Sequence, residues 1–285
     1  WQRNFGDTSS RFSLASCTKM TNGTYLLIAF DQVLLKSHLY NIDGLGNIIY
    51  QKVIFNCIAR DLVQKYPNEI VLIGNLPSGF SIIAMDSTLN TTWTRSYGVN
   101  ESANAYRISH TDDNGFLILY SRPPTDYDFI TKIDSTGNIV WSKILNSHYH
   151  NSSVTETTNG DLFLVSIWDS TSAKYGVRID KLDNAGNLIW SENLSGIYDY
   201  EILRSLITTP DDGCLILAYV KSPSTMFATL MIKLDSSGNI VWSETIGDYS
   251  DMSNPVQIIN TIDSAYALLC NKWGSGHILF KMNAV

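Results

Sequence analysis

Short runs of β-branched and aromatic residues, each bounded by polar turn residues, recur along the whole chain. "TNGTYLLIAF", "PNEIVLIGN", "DDNGFLILYS", "TNGDLFLVSIW", "PDDGCLILAYV" and "IDSAYALLCN" all open with a polar turn and continue as an apolar run. Runs of this length, punctuated this often, predict strands entered through tight turns and are too short for helices. A second phrase alternates with the first: "DGLGNIIY", "DSTLNTTW", "DSTGNIVW", "DNAGNLIW" and "DSSGNIVW". Their aromatic ends are Tyr50, Trp93, Trp141, Trp190 and Trp242, at successive separations of 43, 48, 49 and 52 residues.

A self-similar period of this size marks a repeat architecture, and here each period offers four strands. One strand precedes the Asn/Asp-Gly turn, one follows it, one leads into Asp-x-x-Gly-Asn, and one begins near the aromatic. Four antiparallel strands per 40 to 50 residues is the unit of a β-propeller. The stretch "HILFKMNAV" matches a third strand through Lys281, and "WQRNFGD" matches the fourth strand "WSETIGD". The expectation is therefore an all-β, six-bladed propeller spanning residues 1–285 as one domain. Trp1 stands there as the sixth equivalent aromatic, and the N-terminal strand completes the C-terminal blade.

The Asp-x-x-Gly-Asn-x-x-Trp phrase resembles the tryptophan-docking repeats of PQQ-like propellers, and more broadly the repeats of secreted bacterial and archaeal surface propellers. It also looks like the sialidase Asp-box, Ser-x-Asp-x-Gly-x-x-Trp, with Asp and Gly three residues apart rather than two. The resemblance implies a propeller fold and a structural role for the repeated residues. An Asp can accept hydrogen bonds from amides of its own turn, and a Trp can bury a large surface against a neighbouring blade. Quinone-dependent enzymes of that group have eight blades, so no quinone-binding residue is carried over and no cofactor is expected.

Composition narrows the partners. The net charge is −7, and no cluster of Lys and Arg provides the basic surface that nucleic acid or an acidic membrane requires. No apolar run approaches the length of a membrane-spanning helix. A secreted or cell-surface protein whose leader has been removed is the expected setting. Cys17, Cys57, Cys214 and Cys270 stand singly in apolar stretches, a pattern of buried free thiols rather than of a zinc site. No metal site is expected: His148 and His150 in "SHYH" lack an identifiable third ligand.

Function should then reside in what does not repeat. The two tight turns of each blade share one face, and the loops joining second to third strand and blade to blade share the other. Those loops are variable and aromatic, and would gather Tyr127, Trp168, Tyr175, Trp273, Tyr149, Tyr198, Tyr200 and Tyr249 at one mouth. Flat rings beside Asp, Asn and Ser suit a glycan or a protein ligand. Arg60, Arg107 and Arg204 fall on the expected inner strands, where they either clamp an anion or pair with acids such as Asp61 or Glu156.

No nucleophile elbow or P-loop is present. Asp126, Asp128, Asp169, Asp199 and Glu201 offer carboxylates without a spacing that singles out an acid and a base. The sequence thus predicts a non-catalytic binding module for glycan or protein, or a subunit of a self-associating extracellular assembly. The alternative is a polysaccharide lyase or glycosidase working at the propeller mouth. A quinoprotein is a weaker third.

Overall fold

The computed structural model describes residues 12–31, 36–45, 47–54, 57–66, 69–123, 125, 127–145, 149–169, 175–195, 200–221, 227–246, 253–260, 266–272 and 277–282. These are strands and turns, with no helix among the described residues. The chain divides into two compact units, Trp1–Ser147 and His148–Val285.

The first unit holds three sheets. They are β1 (Phe12–Lys19), β2 (Tyr25–Asp31), β3 (Lys36–Ile42) and β4 (Ile48–Ile54); then β5 (Ile58–Tyr66), β6 (Glu69–Asn75), β7 (Phe80–Asp86) and β8 (Thr91–Tyr97); then β9 (Asn104–His110), β10 (Phe116–Ser121), β11 (Asp128–Ile133) and β12 (Ile139–Ile144). The second unit continues with β13 (Tyr149–Glu156), β14 (Leu162–Asp169), β15 (Tyr175–Leu182) and β16 (Leu188–Ser195), followed by β17 (Tyr200–Thr208), β18 (Cys214–Lys221), β19 (Phe227–Leu234) and β20 (Ile240–Ile246). Its last sheet is β21 (Ser253–Asn260), β22 (Tyr266–Lys272) and β23 (His277–Met282). Every sheet is an antiparallel meander in chain order, the blade of a β-propeller.

The blade count departs from the expectation. Among the described residues five sheets have four strands and the last has three, so these residues form five complete four-stranded blades rather than six. The physical reason lies in how a fourth strand is made. In each complete blade it follows the Asp-x-x-x-Asn turn, and the last sheet has no such strand among the described residues. The expected pairing of the Trp1 strand with that sheet lies outside the described residues.

Burial explains why the second and third strands are continuously apolar instead of alternating. Both faces of β6 are covered, because the first blade packs on one side and the third on the other, and β11 is buried throughout. Leu26, Ile28 and Leu39 of the first blade meet Leu62, Ile70 and Leu72 of the second. Ile73 and Ile82 of the second meet Ile108, Phe116 and Ile118 of the third. In the second unit, Phe163, Val165 and Ile179 pack on Leu206, Ile216 and Ile232, and Leu217 and Met231 pack on Ile258 and Leu268. Cys17, Cys57 and Cys214 are free thiols, and burial pushes Cys57 up to about 11 and Cys214 up to about 12.

The repeated phrase builds a self-satisfied turn. Asp134 Oδ1 accepts the amides of Thr136 and Asn138, each at 2.8 Å, and its Oδ2 accepts the Asn138 side-chain amide at 2.8 Å. Asp43 with Asn47, Asp183 with Asn187, and Asp235 with Asn239 repeat the arrangement. The Asn138 bonds lead in holding the Asp134 carboxyl well below the usual carboxylate range.

The turns of the second, third and fifth blades are each a platform for the blade before. The Tyr50 hydroxyl donates to the Ser87 carbonyl at 2.6 Å, the Tyr97 hydroxyl to the Gly137 carbonyl at 2.5 Å, and Lys181 Nζ to the Ser236 carbonyl at 3.1 Å. The Trp190 ring lies so close over Gly238, at φ 90°, that an added Cβ would stand 2.5 Å from it.

The other tight turn is tied to the third strand by buried lysines. Lys132 reaches Asp113 at 2.7 Å, Lys181 reaches Asp161 at 3.4 Å and Lys233 reaches Asp211 at 2.8 Å. Partial burial works against the Asp211 carboxylate, but Lys233 and the Thr209 hydroxyl outweigh it and hold it down at about 2.

Gly238→Ala should lower stability in urea denaturation by about 1–3 kcal/mol, since Ala resists a left-handed backbone and its methyl strikes the Trp190 ring. In a double-mutant cycle with Trp190→Ala, the loss should be non-additive by about 1 kcal/mol, because the shortened side chain clears the methyl. Additive losses would show that the ring does not rest on this turn.

Candidate functional site

The first strands of neighbouring blades lie side by side, β1 next to β5 and β5 next to β9 in the first unit. Each of them bulges at the same place. The extra residues are Ala15 in β1, Arg60 in β5, Tyr106 in β9, Arg204 in β17 and Val256 in β21, and β13 shifts register between His150 and Ser153. A bulge re-aims side chains and is a device common beside binding sites.

The residues just after these bulges are linked across three blades. Asp61 is 7% exposed; it accepts the Leu62 amide at 3.0 Å and, from the next blade, the Ile108 amide at 3.1 Å. Burial raises its pKa, opposed first by the Arg107 guanidinium and then by the Ser16 hydroxyl. Arg107 thus faces an acid in the neighbouring blade. Arg60 is exposed, and the Arg204 guanidinium stands 5.9 Å from the centre of the Tyr219 ring.

The loop end of the third blade is tied down by backbone hydrogen bonds. The Arg122 amide donates to the Tyr127 carbonyl at 3.3 Å, the Thr125 amide to the Arg122 carbonyl at 3.0 Å, and the Leu145 amide to the Asp128 carbonyl at 2.7 Å. Asp128, itself buried, accepts the Tyr106 hydroxyl at 2.8 Å. The loop base is therefore fixed, and Tyr127 stands 43% exposed at its end.

Beside it, Arg122 pairs with Glu101 at 2.6 Å, both side chains more than a third exposed. Arg122 also lies over the Phe129 ring, which stacks on Tyr120; Tyr120 meets Phe80, and Phe80 stacks on Tyr97. The connection carrying Glu101 alternates left-handed residues, Gly98 at φ 58°, Asn100 at φ 77° and Ser102 at φ 53°. Non-glycine residues held in this region recur at ligand-binding positions.

Of the eight aromatics expected at the mouth, Tyr127 is on this surface. Backbone pairing sets Tyr149 opposite Trp168, and Asp169 opposite Tyr175, at the loop end of the fourth blade; Tyr200 begins β17. The side chains of these five residues, and all of Trp273, Tyr198 and Tyr249, lie outside the described residues, as do His148, Asp126 and Asp199. Glu101, Arg122, Asn100 and Ser102 did not stand out in the sequence. The charge opposition between "GVNESANA" and "SRPPTDYD" was the available signal. His110, at the tight-turn end, packs edge-on against Phe116. Among the described residues no group of three or more His, Cys, Asp or Glu forms a metal-binding cluster, and no helix is long and apolar enough to cross a membrane.

No protein-family model and no curated protein matches the chain. Solved structures do. A protein of unknown function from Bacteroides caccae aligns with a TM-score of 0.59 at 11% identity, covering 86% of each chain. A subtype N10 neuraminidase-like protein of A/little yellow-shouldered bat/Guatemala/060/2010 aligns with a TM-score of 0.59 at 12% identity, over 96% of this chain and 93% of that one. An exo-β-1,3-galactanase from Clostridium thermocellum aligns with a TM-score of 0.50 at 12% identity, over 85% of this chain and 61% of that one. At these identities the likeness is one of fold.

Arg107→Met should destabilise the protein by about 3–5 kcal/mol at pH 7, the usual consequence of stranding a buried charge. A carboxyl with a raised folded-state pKa binds its proton more tightly folded than unfolded, so stability falls as pH rises from its unfolded value through its folded one. Removing Arg107 raises that folded value further. The penalty relative to wild type should therefore shrink on titration from pH 7 to pH 5, and a pH-independent penalty would mean that Asp61 and Arg107 are not coupled.

Proposed function

We propose that this chain is a glycan-binding β-propeller that presents its ligand site on the loop face, in a secreted or cell-surface setting. The observation that carries the reading is the exposed Tyr127, whose backbone carbonyl accepts the Arg122 amide, on the same hydrogen-bonded loop base as the Glu101–Arg122 pair. A flat ring offers a stacking surface for a sugar face, while an exposed ion pair presents both a bidentate donor and an acceptor to hydroxyls. Because the pair is solvated, it contributes little to stability, and either partner can turn to a ligand at small cost. Trp168, Tyr175 and Trp273 are candidates for a surface of the same kind in the second unit.

A second reading, a glycoside hydrolase or polysaccharide lyase, is favoured by the names of two fold neighbours, the exo-β-1,3-galactanase and the neuraminidase-like protein. Two carboxylates on the third blade, Asp128 and Glu101, are each bonded to a residue of the fold, Tyr106 and Arg122. Carboxylates so held serve more readily as fixed acceptors than as a proton-shuttling pair.

Glycan-array binding followed by calorimetry on the best ligand should show Tyr127→Ala and Arg122→Ala each weakening affinity about tenfold, which is about 1.4 kcal/mol. Stability should change by no more than about 0.5 kcal/mol. The triple Ala variant of Trp168, Tyr175 and Trp273 should also lose affinity while remaining folded. Release of reducing ends from any polysaccharide in the same panel would move the assignment to the enzyme reading.

A further inference from the structure

The ion pair on the third blade is held more firmly than its exposure requires. Glu101 sits on a connection tied down at several points. Its amide donates to the Gly98 carbonyl at 3.0 Å, the Asn100 amide donates to the Ser78 hydroxyl of the second blade at 2.9 Å, and Asn104 donates its side-chain amide to the Ser102 carbonyl at 3.1 Å. Left-handed residues, Asn100 and Ser102, flank Glu101 on both sides. Arg122 is positioned by its amide bond to the Tyr127 carbonyl and by the Phe129 ring, whose centre is 5.9 Å from the guanidinium carbon. Solvated pairs contribute little to stability, so stability does not account for a left-handed connection that places Glu101 against Arg122.

Charge governs what such a surface admits. Residues 98–104 and 121–128 hold one base, Arg122, against three acids, Glu101, Asp126 and Asp128. Glu101 stands 2.6 Å from Arg122 Nη2, and a ligand can reach both side chains, which are 46% and 39% exposed. A guanidinium has five N–H donors in a planar fork, so Arg122 can donate to a sugar hydroxyl while Nη2 stays on Glu101. A carboxylate makes a different demand. It is drawn to Arg122 by charge, and to reach it must come within a few ångströms of the Glu101 carboxylate, where like charges repel.

We infer that Glu101 is a specificity-determining residue, which cancels the charge of Arg122 and limits this site to neutral sugars by rejecting those that carry a carboxylate. This rests on the glycan reading and narrows it to a class. Neutral hexose or N-acetylhexosamine chains, which present hydroxyls and an apolar ring face, are admitted, and uronate and sialate residues are excluded. A like charge placed against the wrong ligand is a general route to selectivity. With Glu101 made neutral, the same Arg122, still over Phe129, presents its fork for a bidentate carboxylate contact.

A glycan array bearing neutral oligosaccharides, oligogalacturonates and sialylated oligosaccharides, probed with wild type and with Glu101→Gln, tests it. Wild type should bind neutral chains alone. Glu101→Gln should gain the acidic ones, its affinity for trigalacturonate in calorimetry rising by about tenfold or more over wild type, and the gain should shrink as salt is raised, because an exposed ionic contact is screened. Adding Arg122→Ala to Glu101→Gln should abolish the gain, which a mere loss of negative charge would not do. Far-UV circular dichroism checks that each variant is folded, and Glu101→Ala, with the same gain expected, serves if Glu101→Gln is not. Wild type that binds acidic chains as well as neutral ones, or a folded Glu101 variant that gains none, would overturn the inference and leave glycan binding standing. Wild type that binds no chain on the array would sink the glycan reading and this inference with it.

Discussion

The interaction on which this architecture rests is the hydrogen bonding of one carboxylate to its own turn. A blade's third strand must reverse within a few residues into its fourth, and the reversal points backbone amides inward with no strand to receive them. Asp43, Asp86, Asp134, Asp183 and Asp235 accept those amides directly. An ionised acceptor bonds an amide about twice as strongly as a neutral one. The rigid turn then serves as the surface on which the preceding blade's outer strand settles, so a local bond made within five residues fixes contacts about 40 residues away in sequence. The same device explains why aromatics follow the turns. A ring facing a turn needs a flat, closely approachable platform, which glycine at Gly137 and Gly238 provides.

The second blade shows how far this holds without the usual residues. Its turn has Leu89 where the others have glycine, at φ 62°, and Asn90 donates its side-chain amide to Thr88. A left-handed leucine is costly. Leu89 is only 1% exposed, packed in the core between the first and second blades. Burial of its side chain offsets the backbone strain, and tertiary packing overrides local preference.

The repeat, the strand-per-period count and the role of the Asp phrase were legible because each is encoded within ten residues and then repeated. The number of complete blades was not. Aromatic positions count phrases, whereas a blade is counted by hydrogen-bonded strands, and the last sheet has three of these among the described residues. The site divides the same way. Tyr127 could be placed because a loop aromatic between Pro and Asp is conspicuous, but Glu101 and Arg122 are 21 residues apart on separate loops, with no local signature. Asp61 and Arg107 were visible as candidate partners, yet only the bulges shared by the first strands show why they meet: each shifts the register by one residue and turns successive side chains toward the neighbouring blade.

Uniform repetition carries a hazard that the charge pattern addresses. A propeller whose blades were identical would present identical open edges, each a template for the next molecule. Placing one charge on every edge makes like edges repel, and a single sign throughout would suffice if solubility were the only demand. The sign instead changes at one point in the chain, between Lys143 and Glu192, while the aromatic two positions earlier does not change at all. Residues that hold the blade together are thus kept constant as the neighbouring edge residue varies. That separation lets a repeated scaffold vary the charge on its outer strands without disturbing the aromatic contacts made two positions earlier.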